Sequence, residues 1–217
     1  MESENKASAK QRPKERAGIL LATRNRHKTN EIQAILGVGV LVSDVSGMNH
    51  LPEIEETGVT FEENSRLKAE GISRCVDGIV LADDSGLEVD ALEKEPGVWS
   101  ARYSGQDCTD EKNTALVLLK MKGVSQEFRT ARFRCVLAAA ENGHTLAVFN
   151  GTVEGILAEE VRGLGGFGYD PIFMPLGYDQ TFGELPAGIK HAMSHRGMAL
   201  KQFKEWWDGR EYSKGNS

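Results

Sequence analysis

The sequence has no surplus of basic residues. It contains 26 Lys and Arg residues against 32 Asp and Glu residues, which gives a formal net charge of −6 over 217 residues. A protein that binds a nucleic-acid backbone needs clustered positive charge to replace the counterions of the phosphates. The balance therefore argues against DNA or RNA as a partner. A small phosphorylated ligand stays open, because a local group of Lys and Arg can lie within an acidic protein.

Long apolar runs and paired cysteines are also missing. No apolar stretch approaches the roughly 18 residues that a membrane-spanning helix requires, so we expect no membrane partner. The three cysteines, Cys75, Cys108 and Cys135, are odd in number and lack Cys-x-x-Cys spacing. Neither a disulfide framework nor a zinc site is indicated. We therefore expect a cytoplasmic protein in a reducing compartment.

The first 17 residues carry no apolar segment. They mix five Lys and Arg side chains with Glu2, Glu4 and Glu15, and these acids argue against a transit peptide. We interpret residues 1–17 as a disordered leader, because they offer nothing to bury. Residues 18–210 are expected to form a single folded domain of ordinary globular composition, followed by a tail at 211–217.

Apolar periodicity in the first half of the chain predicts alternating strands and helices. Buried strands are expected at residues 18–23, 38–42 and 79–82. A helix after the first strand should end at Gly37, and the capping box Thr60-Phe-Glu-Glu63 should open another. The second half predicts a helix after Thr109 and a hairpin at Asn142-Gly143. Its strands are expected at residues 132–140, 145–153 and 172–173, before a last helix that begins near residue 194. This order predicts an α/β fold with a mixed central sheet flanked by helices.

A polar loop at residues 23–28, Thr-Arg-Asn-Arg-His-Lys, connects the first strand to the first helix. Backbone N–H groups and the helix dipole make such a junction a candidate anion site. Lys28 adds a positive charge in the first turn, where a cation is otherwise mildly unfavourable. A solvated turn explains the same composition equally well. The chain lacks the Gly-x4-Gly-Lys-Ser/Thr phosphate-binding loop.

The segment Asp83-Asp84-Ser85-Gly86 places two carboxylates directly after an apolar strand. Ligands in open α/β folds bind at the carboxyl edge of the sheet, where we expect this segment to lie. Adjacent acids repel each other, so the arrangement favours a nearby cation or one acid turned away. Mg²⁺ shared with substrate phosphates would supply the cation. The alternative is a turn in which Asp accepts hydrogen bonds from the local backbone.

Glycines cluster at residues 163–168 and match Gly-x-Gly-x-x-Gly. The match is misleading, because Tyr169-Asp170-Pro171 follows where a dinucleotide-binding helix would begin. The glycines instead suggest a backbone that approaches a ligand closely, with Phe167 or Tyr169 able to stack on a base. A structural turn is the competing interpretation. Further along, Arg196 in the first turn of the last helix opposes the helix dipole, which weakly indicates a specific role.

Together these segments resemble the inosine triphosphate pyrophosphatase family, also called the non-canonical purine NTP or dITP/XTP pyrophosphatases. The resemblance covers about 19–203 and carries six motifs in order. The first three are Thr-x-Asn-x-x-Lys at 23–28, Glu-Glu-Thr-Gly-x-Thr-Phe-x-Glu-Asn at 55–64 and Asp-Asp-Ser-Gly-Leu at 83–87. The others are Pro-Gly-x-x-Ser-Ala-Arg-Tyr-x-Gly at 96–105, Gly-Gly-Phe-Gly-Tyr-Asp-Pro at 165–171 and Ser-His-Arg-Gly-x-Ala at 194–199.

The resemblance implies an elongated α/β fold with two lobes around a deep cleft, usually as a homodimer. It implies Mg²⁺-dependent hydrolysis of ITP, dITP, XTP and dXTP to the monophosphate and pyrophosphate. By matching position, Glu56 and Asp84 would hold Mg²⁺, and Asp84 would be the general base. Lys190, His195 and Arg196 would read the 6-keto base. The full set expected to bind substrate is Thr23, Arg24, Asn25, Arg26, His27, Lys28, Lys68, Ser85, Phe167, Gly168, Tyr169, Asp170, Lys190, His195 and Arg196.

Two other functions remain open at this point. A pyrophosphatase for other modified nucleotides would need the same phosphate-binding residues and a different base pocket. A non-catalytic nucleotide sensor would bind without turnover. The complete set of Lys28, Lys68, Glu56 and Asp84 argues against a sensor, which has no need of a general base.

Overall fold

The structure is a computed structural model that describes the backbone of residues 18–214 and side chains up to residue 210. The leader predicted for residues 1–17 lies outside the described residues. Six strands form one sheet in the order β2-β1-β3-β4-β5-β6. They are β1 (Gly18–Leu21), β2 (Leu41–Asp44), β3 (Val80–Val89), β4 (Thr130–Glu141), β5 (His144–Leu157) and β6 (Phe173–Pro175). β1 pairs in parallel with β2 and β3, and the remaining pairs are antiparallel. The predicted mixed sheet is confirmed.

Five α-helices accompany the sheet in the described part of the chain. They are α1 (Arg26–Leu36), α2 (Phe61–Ser73), α3 (Asp110–Lys120), α4 (Ala187–Met193) and α5 (His195–Lys214). The capping box at Thr60 and Glu63 is confirmed, as is the Thr109 cap of α3. The β4–β5 hairpin turns at Asn142 and Gly143, both with positive φ, which confirms the predicted Asn-Gly turn. The short helix α4 was not predicted, and α5 continues past residue 210 to Lys214.

The strand predicted at residues 79–82 is longer than expected. β3 continues to Val89, so the Asp83-Asp84-Ser85-Gly86 segment lies inside the strand and not after it. The prediction that the segment follows the strand was therefore wrong, but it does lie just beyond the carboxyl end of β1, whose last residue, Leu21, pairs with Leu81. The physical reason is non-local, because β4 provides a continuous antiparallel ladder from Ala140 to Ala131 along the whole of β3. This pairing overrides the poor strand propensity of Asp, Ser and Gly.

β2 also differs from its predicted position, since it begins at Leu41 and not at residue 38. The side chain of Gln33 explains the shift. Its Nε2 donates to the carbonyl oxygens of Gly37 and Val40, at 2.8 and 3.1 Å. Its Oε1 accepts from the N–H of Val42 at 3.1 Å. These carbonyl groups therefore find partners outside the sheet.

Three apolar clusters cover different parts of the sheet. The first packs α1 and α5 on one face, and another packs α2 on the opposite face. The third surrounds the far halves of β3, β4 and β5 and includes Val117 of α3 and Met121, which directly follows that helix. β3 contributes residues 80–82 to the first two clusters and Leu87 and Val89 to the third. Its polar residues 83–86 lie between them. Within the described residues, no helix is long and apolar enough to cross a membrane.

Candidate active site

The two adjacent acids of β3 point to opposite faces of the sheet, because side chains alternate along a strand. Asp83 lies on the face that packs against α1 and α5. There it pairs with Lys28 Nζ and with Arg196 Nε, the latter at 2.9 Å. Asp84 lies on the α2 face, where its Oδ1 accepts from Lys68 Nζ at 2.9 Å. One acid is thus turned away from the other, and each has its own cation.

Lys68 connects Glu56 and Asp84, the two carboxylates that the family resemblance implies as metal ligands. Its Nζ donates to Glu56 Oε1 at 2.6 Å, to Asp84 Oδ1 at 2.9 Å and to the Asp83 carbonyl at 2.9 Å. Burial raises the pKa of Asp84, and the charge of Lys68 does not offset that effect. Burial acts in the same direction on Glu56, but Lys68, Lys28 and Arg102 together outweigh it and lower the pKa of Glu56. Arg102, which we did not predict, adds a contact to Glu56 at 3.3 Å.

The donor set around Lys68 fits a hard cation. Asp84 Oδ2 is buried and has no hydrogen-bond partner. Glu56 and Asp84 converge on the same ammonium group and present only oxygen atoms. Mg²⁺ prefers oxygen ligands and is commonly held by one or two carboxylates, with water and substrate phosphates completing its shell. Among residues 18–210, no group of three or more His, Cys, Asp or Glu residues that could hold a metal ion is present.

The N-terminus of α1 is built around Asn25. The Asn25 Oδ1 accepts from the N–H groups of His27 and Lys28, at 2.9 and 3.3 Å. These two amides are therefore already paired, and Lys28 Nζ is paired with Asp83. Arg24 lines the same region while its Nη1 donates to the Val45 carbonyl at 3.2 Å. Arg26 is exposed and contributes to neither of the cavities described below.

The glycine-rich segment and the residue that follows it bring two aromatic side chains, Phe167 and Tyr169, to the wall of one cavity. The Phe167 ring stacks on His27 with a centroid distance of 5.5 Å, and Lys190 Nζ lies 5.0 Å from its centroid. Asp170 Oδ2 accepts from the Phe167 N–H at 2.8 Å and from Lys190 Nζ at 2.7 Å. Tyr169 is buried, and its hydroxyl donates to the Ser100 carbonyl at 2.8 Å. Phe167 is therefore the better placed ring for stacking.

Glu31 is a central residue that our sequence analysis missed. Its carboxylate pairs with Arg196 Nη1 and accepts from Lys190 Nζ at 2.9 Å. Burial raises the pKa of Glu31, but Arg196 and Lys190 outweigh it and lower the value to about 2. A helical-spacing signal was available, because Glu31 follows His27 and Lys28 at i+4 and i+3 and so shares their face of α1. The acid holds both proposed base-reading cations.

Arg196 is one of the largest fully buried side chains. Besides Asp83 and Glu31, its Nη2 donates to Ser85 Oγ at 2.8 Å. Four hydrogen bonds to protein acceptors therefore engage a group with five N–H donors. The neighbouring His195 stacks on Phe133 with a centroid distance of 4.8 Å. Burial and the charge of Arg196 lower the pKa of His195 to about 3, so the ring is neutral at pH 7. Its buried Nδ1 has no hydrogen-bond partner.

Two adjacent cavities bring the separated motifs together. The larger has a volume of about 270 Å³ and includes Thr23, Glu56 and Lys68 in its lining. The smaller has a volume of about 90 Å³. Asn25, Lys28 and Ala101 line both. The predicted residues that line the smaller cavity are Asn25, Lys28, Ser85, Phe167, Gly168, Tyr169, Asp170, Lys190, His195 and Arg196. His27 lies outside these two cavities, beside Phe167.

The chain is similar to named proteins along most of its length. A sequence model described as the Ham1 family matches residues 19–206. A dITP/XTP pyrophosphatase of Bacillus licheniformis is 47% identical over 191 residues, which cover 88% of this chain and 97% of the relative. The dITP/XTP pyrophosphatase of Exiguobacterium sibiricum is 48% identical over 188 residues, covering 86% of this chain and 94% of the relative.

Solved structures agree with this assignment. A HAM1 protein from Coxiella burnetii superposes with a TM-score of 0.80 at 39% identity, covering 89% of this chain and 99% of that chain. The Ham1 protein of Staphylococcus aureus gives a TM-score of 0.78 at 39% identity, with the same coverage of 89% and 99%. Sequence match and shared fold extend over the β3 acids, the glycine-rich segment and the start of α5. The chain belongs to the Ham1 family.

Proposed function

We propose that this protein hydrolyses non-canonical purine nucleoside triphosphates, such as ITP, dITP, XTP and dXTP, to the nucleoside monophosphate and pyrophosphate. One observation carries the proposal. A cavity lined by Lys28, Lys68 and Glu56 adjoins a cavity lined by the donors Lys190 and Arg196. The first suits a triphosphate and the second an acceptor-rich base. Relatives with 47% and 48% identity are named dITP/XTP pyrophosphatases, which supports the same substrate class.

The phosphate end would neutralise the triphosphate before hydrolysis. Water that attacks a polyanion is repelled, so positive charge must lie beside the phosphates. Lys28, Lys68 and the amide of Asn25 would supply that charge and hydrogen bonding. We propose that Glu56 and Asp84 hold Mg²⁺, which when bound adds positive charge at the phosphates and lowers the pKa of bound water. Binding would draw Lys68 from the carboxylates towards the phosphates.

Asp84 is proposed as the general base. Its Oδ2 has no protein partner, and its pKa is raised by burial. A base is most effective when its pKa approaches the working pH, so the raised pKa improves proton acceptance. Asp84 would take a proton from the water that attacks the α-phosphorus. The α–β anhydride bond breaks, and pyrophosphate leaves from the side of the larger cavity.

Base selection would follow from the donors at the other end. Lys190 and Arg196 present N–H groups, and a 6-keto oxygen is an acceptor. Adenine carries a donating 6-amino group at that position, so the N–H groups of Lys190 and Arg196 that are not paired with protein acceptors would be left without a partner. An analogue that leaves such groups unpaired is rejected by orders of magnitude in kcat/KM. Neutral His195, with its unpaired Nδ1, would add a contact that does not depend on charge.

Two further proposals extend the family resemblance. We propose a homodimer, which light scattering after gel filtration would test; a monomer at micromolar concentration would contradict it.

We also propose a cytoplasmic location, because the three cysteines are free and free thiols persist in reducing compartments. Fractionation of the native cells would test it, and recovery outside the cytoplasm would refute it.

A substrate panel tests the main proposal. Pyrophosphate release would be measured for ITP, XTP, dITP, GTP, ATP and modified pyrimidine triphosphates, each with Mg²⁺ and with EDTA. We expect kcat/KM for ITP and XTP to exceed that for ATP by about a hundredfold or more, with EDTA abolishing turnover. Preferential release from modified pyrimidines would favour the alternative pyrophosphatase. Tight ITP binding without pyrophosphate release would favour a nucleotide sensor.

A further inference from the structure

The first two turns of α3 lie beside the glycine-rich segment and contact both backbone polar groups of Gly168. The Asp110 Oδ2 accepts from the Gly168 N–H at 2.7 Å. The Thr114 Oγ1 donates to the Gly168 carbonyl at 3.2 Å. Gly168 has a φ of 60°, so it lies in the left-handed region that favours glycine. α3 therefore fixes the backbone next to the proposed stacking ring, Phe167.

Asp110 is not required to cap its own helix. Thr109 is the N-cap, and its Oγ1 accepts from the Lys112 N–H at 3.2 Å. An acid in the first turn interacts favourably with the helix dipole, but Glu111 provides the same charge one residue later. Neither role explains why the Asp110 carboxylate lies in the wall of the smaller cavity.

One oxygen of Asp110 remains available to a ligand. Asp110 is exposed, and among the described residues no donor is paired with its Oδ1. Asp170 is the other carboxylate in the lining of the smaller cavity. That residue is buried and already accepts from Lys190 Nζ and from the Phe167 N–H. Both of those bonds use Asp170 Oδ2, and Asp170 is only 2% exposed, so Asp110 is the carboxylate of this wall that is accessible from solvent.

Asp110 lines the smaller cavity, whose lining also includes Lys28 of the proposed phosphate end and Arg196 of the proposed base end. With phosphates at Lys28 and Lys68 and a base at Arg196, the sugar must lie between the two ends. We propose that Asp110 determines sugar recognition by accepting a hydrogen bond from a sugar hydroxyl through Oδ1, while Oδ2 holds Gly168. This inference rests on the proposed function, because it presumes a purine nucleotide in the two cavities.

A cycle of protein and substrate changes tests the contact. kcat/KM would be measured for ITP, dITP and 2′,3′-dideoxy-ITP with wild type, Asp110→Ala and Asp110→Asn. Removing the contacted hydroxyl should cost wild type about tenfold or more, as expected for a hydrogen bond to a charged group. Asp110→Ala should lose activity on the full substrate and show little further loss on the analogue. The kcat/KM of Asp110→Asn should lie between those of wild type and Asp110→Ala, because the Asn amide oxygen can still accept from the Gly168 N–H.

Thr114→Val is the matched control for an effect through the loop. It removes the other contact to Gly168 and keeps the shape of the side chain. We therefore expect it to lower kcat/KM for all three nucleotides by a similar factor. If Asp110→Ala also lowers all three equally, or if Thr114→Val erases the hydroxyl dependence, the inference is overturned. The substrate step at which wild type loses activity identifies the 2′- or the 3′-hydroxyl.

Binding measurements separate this inference from the proposed function. Calorimetry with the α,β-imido analogues of the same three nucleotides requires no turnover. A wild-type protein that binds them without hydrolysing ITP would refute the proposed function and still report on Asp110. Wild-type affinity that ignores both sugar hydroxyls, in an enzyme that hydrolyses ITP, would refute the inference alone.

Discussion

Asp83 and Asp84 are neighbours in sequence, yet their surroundings push their protonation in opposite directions. Both oxygens of Asp83 have partners, including Ser85 Oγ at 2.9 Å and Cys135 Sγ at 3.2 Å. Burial opposes ionisation of Asp83, but Arg196 and Lys28 outweigh it and hold its pKa well below the usual value. Asp84 has the raised pKa and the unpaired oxygen. Paired acids with diverging pKa values mark a division of roles, here between a structural ion pair and a base.

Asp84→Asn should therefore remove catalysis and keep the fold. Asn preserves the shape and can still accept from Lys68, but it cannot take a proton from water or hold a cation well. We expect kcat to fall by about a hundredfold or more, with the melting temperature close to that of wild type. Steady-state pyrophosphate release at saturating Mg²⁺ measures the first quantity and calorimetry the second.

Asp83→Asn is the matched control for this prediction. It leaves the buried Arg196 short of a charged partner, and breaking a buried pair costs about 3–5 kcal/mol. Its melting temperature should therefore drop by several degrees. An Asp84→Asn enzyme within tenfold of wild-type kcat would remove Asp84 from the chemistry.

At the scale of elements, close approach between β5 and α5 sets where the base-reading residues lie. Gly151 in β5 lies directly against the backbone of His195, and an added Cβ would collide with the His195 carbonyl. The antiparallel register places Gly151 opposite Cys135 of β4, which itself lies opposite Ser85 of β3. The start of α5 therefore packs over the polar segment of β3. This position allows Arg196 to contact Asp83 and Ser85.

The N-terminus of α1 offers a test that separates folding from phosphate binding. Asn25→Asp should keep the helix cap, because Asp and Asn are comparable N-caps. It places a negative charge beside Lys28, where the triphosphate is proposed to bind. We expect KM for ITP to rise about tenfold or more, with the melting temperature little changed. Initial rates over a range of ITP concentrations and thermal unfolding provide the two readouts.

Asn25→Ala is the comparison for Asn25→Asp. Losing the cap costs about 1 kcal/mol, so this variant should melt at a lower temperature. An Asn25→Asp enzyme with unchanged KM would mean that the triphosphate does not meet this turn.

At the scale of the whole molecule, an acidic chain has gathered a balanced set of buried charges. Three acids and three bases form one network. Its members are Glu31, Asp83, Asp170, Lys28, Lys190 and Arg196. The network joins α1, β3, the glycine-rich segment, α4 and α5. Since removing one charge leaves its partners unpaired in a buried setting, we expect these residues to couple the fold to the site.

Acid should destabilise this protein through His195 before it affects the carboxylates. The pKa of His195 is about 3 in the folded protein against 6.5 for the free side chain. The unfolded chain thus binds a proton that the folded one rejects, and stability present above pH 6.5 is lost as the pH falls towards 3. The pKa of Glu31 is about 2 in the folded protein against 4.5 for the free side chain. Its protonation therefore lowers the free energy of unfolding only below about pH 4.5.

His195→Gln should remove the loss of stability that protonation of His195 causes as the pH falls below 6.5. From pH 6 to pH 5, His195 should lower the free energy of unfolding by roughly 1 kcal/mol. Urea unfolding of wild type and His195→Gln at both pH values measures the difference. Equal pH dependence in the two proteins would show that His195 titrates normally in the fold.

The sequence by itself determined the features that local physics controls. The Thr60 and Thr109 caps and the Asn142-Gly143 turn depend on residues within a few positions of one another. Apolar periodicity predicted most elements for the same reason, and the ordered motifs indicated the family. The structure confirms these predictions because each cap or turn forms its contacts within its own short segment.

The tertiary structure determined which residues from distant segments contact each other. Whether Asp83-Asp84 ends a strand or lies within it depended on the ladder with β4, about 50 residues away along the chain. That ladder also sent the two acids to opposite faces. The partnership of Glu31 with Lys190 and Arg196, and the seat of Asp110 beside Gly168, likewise join distant parts of the sequence. Such contacts depend on which surfaces meet after packing, and local propensity carries no record of that.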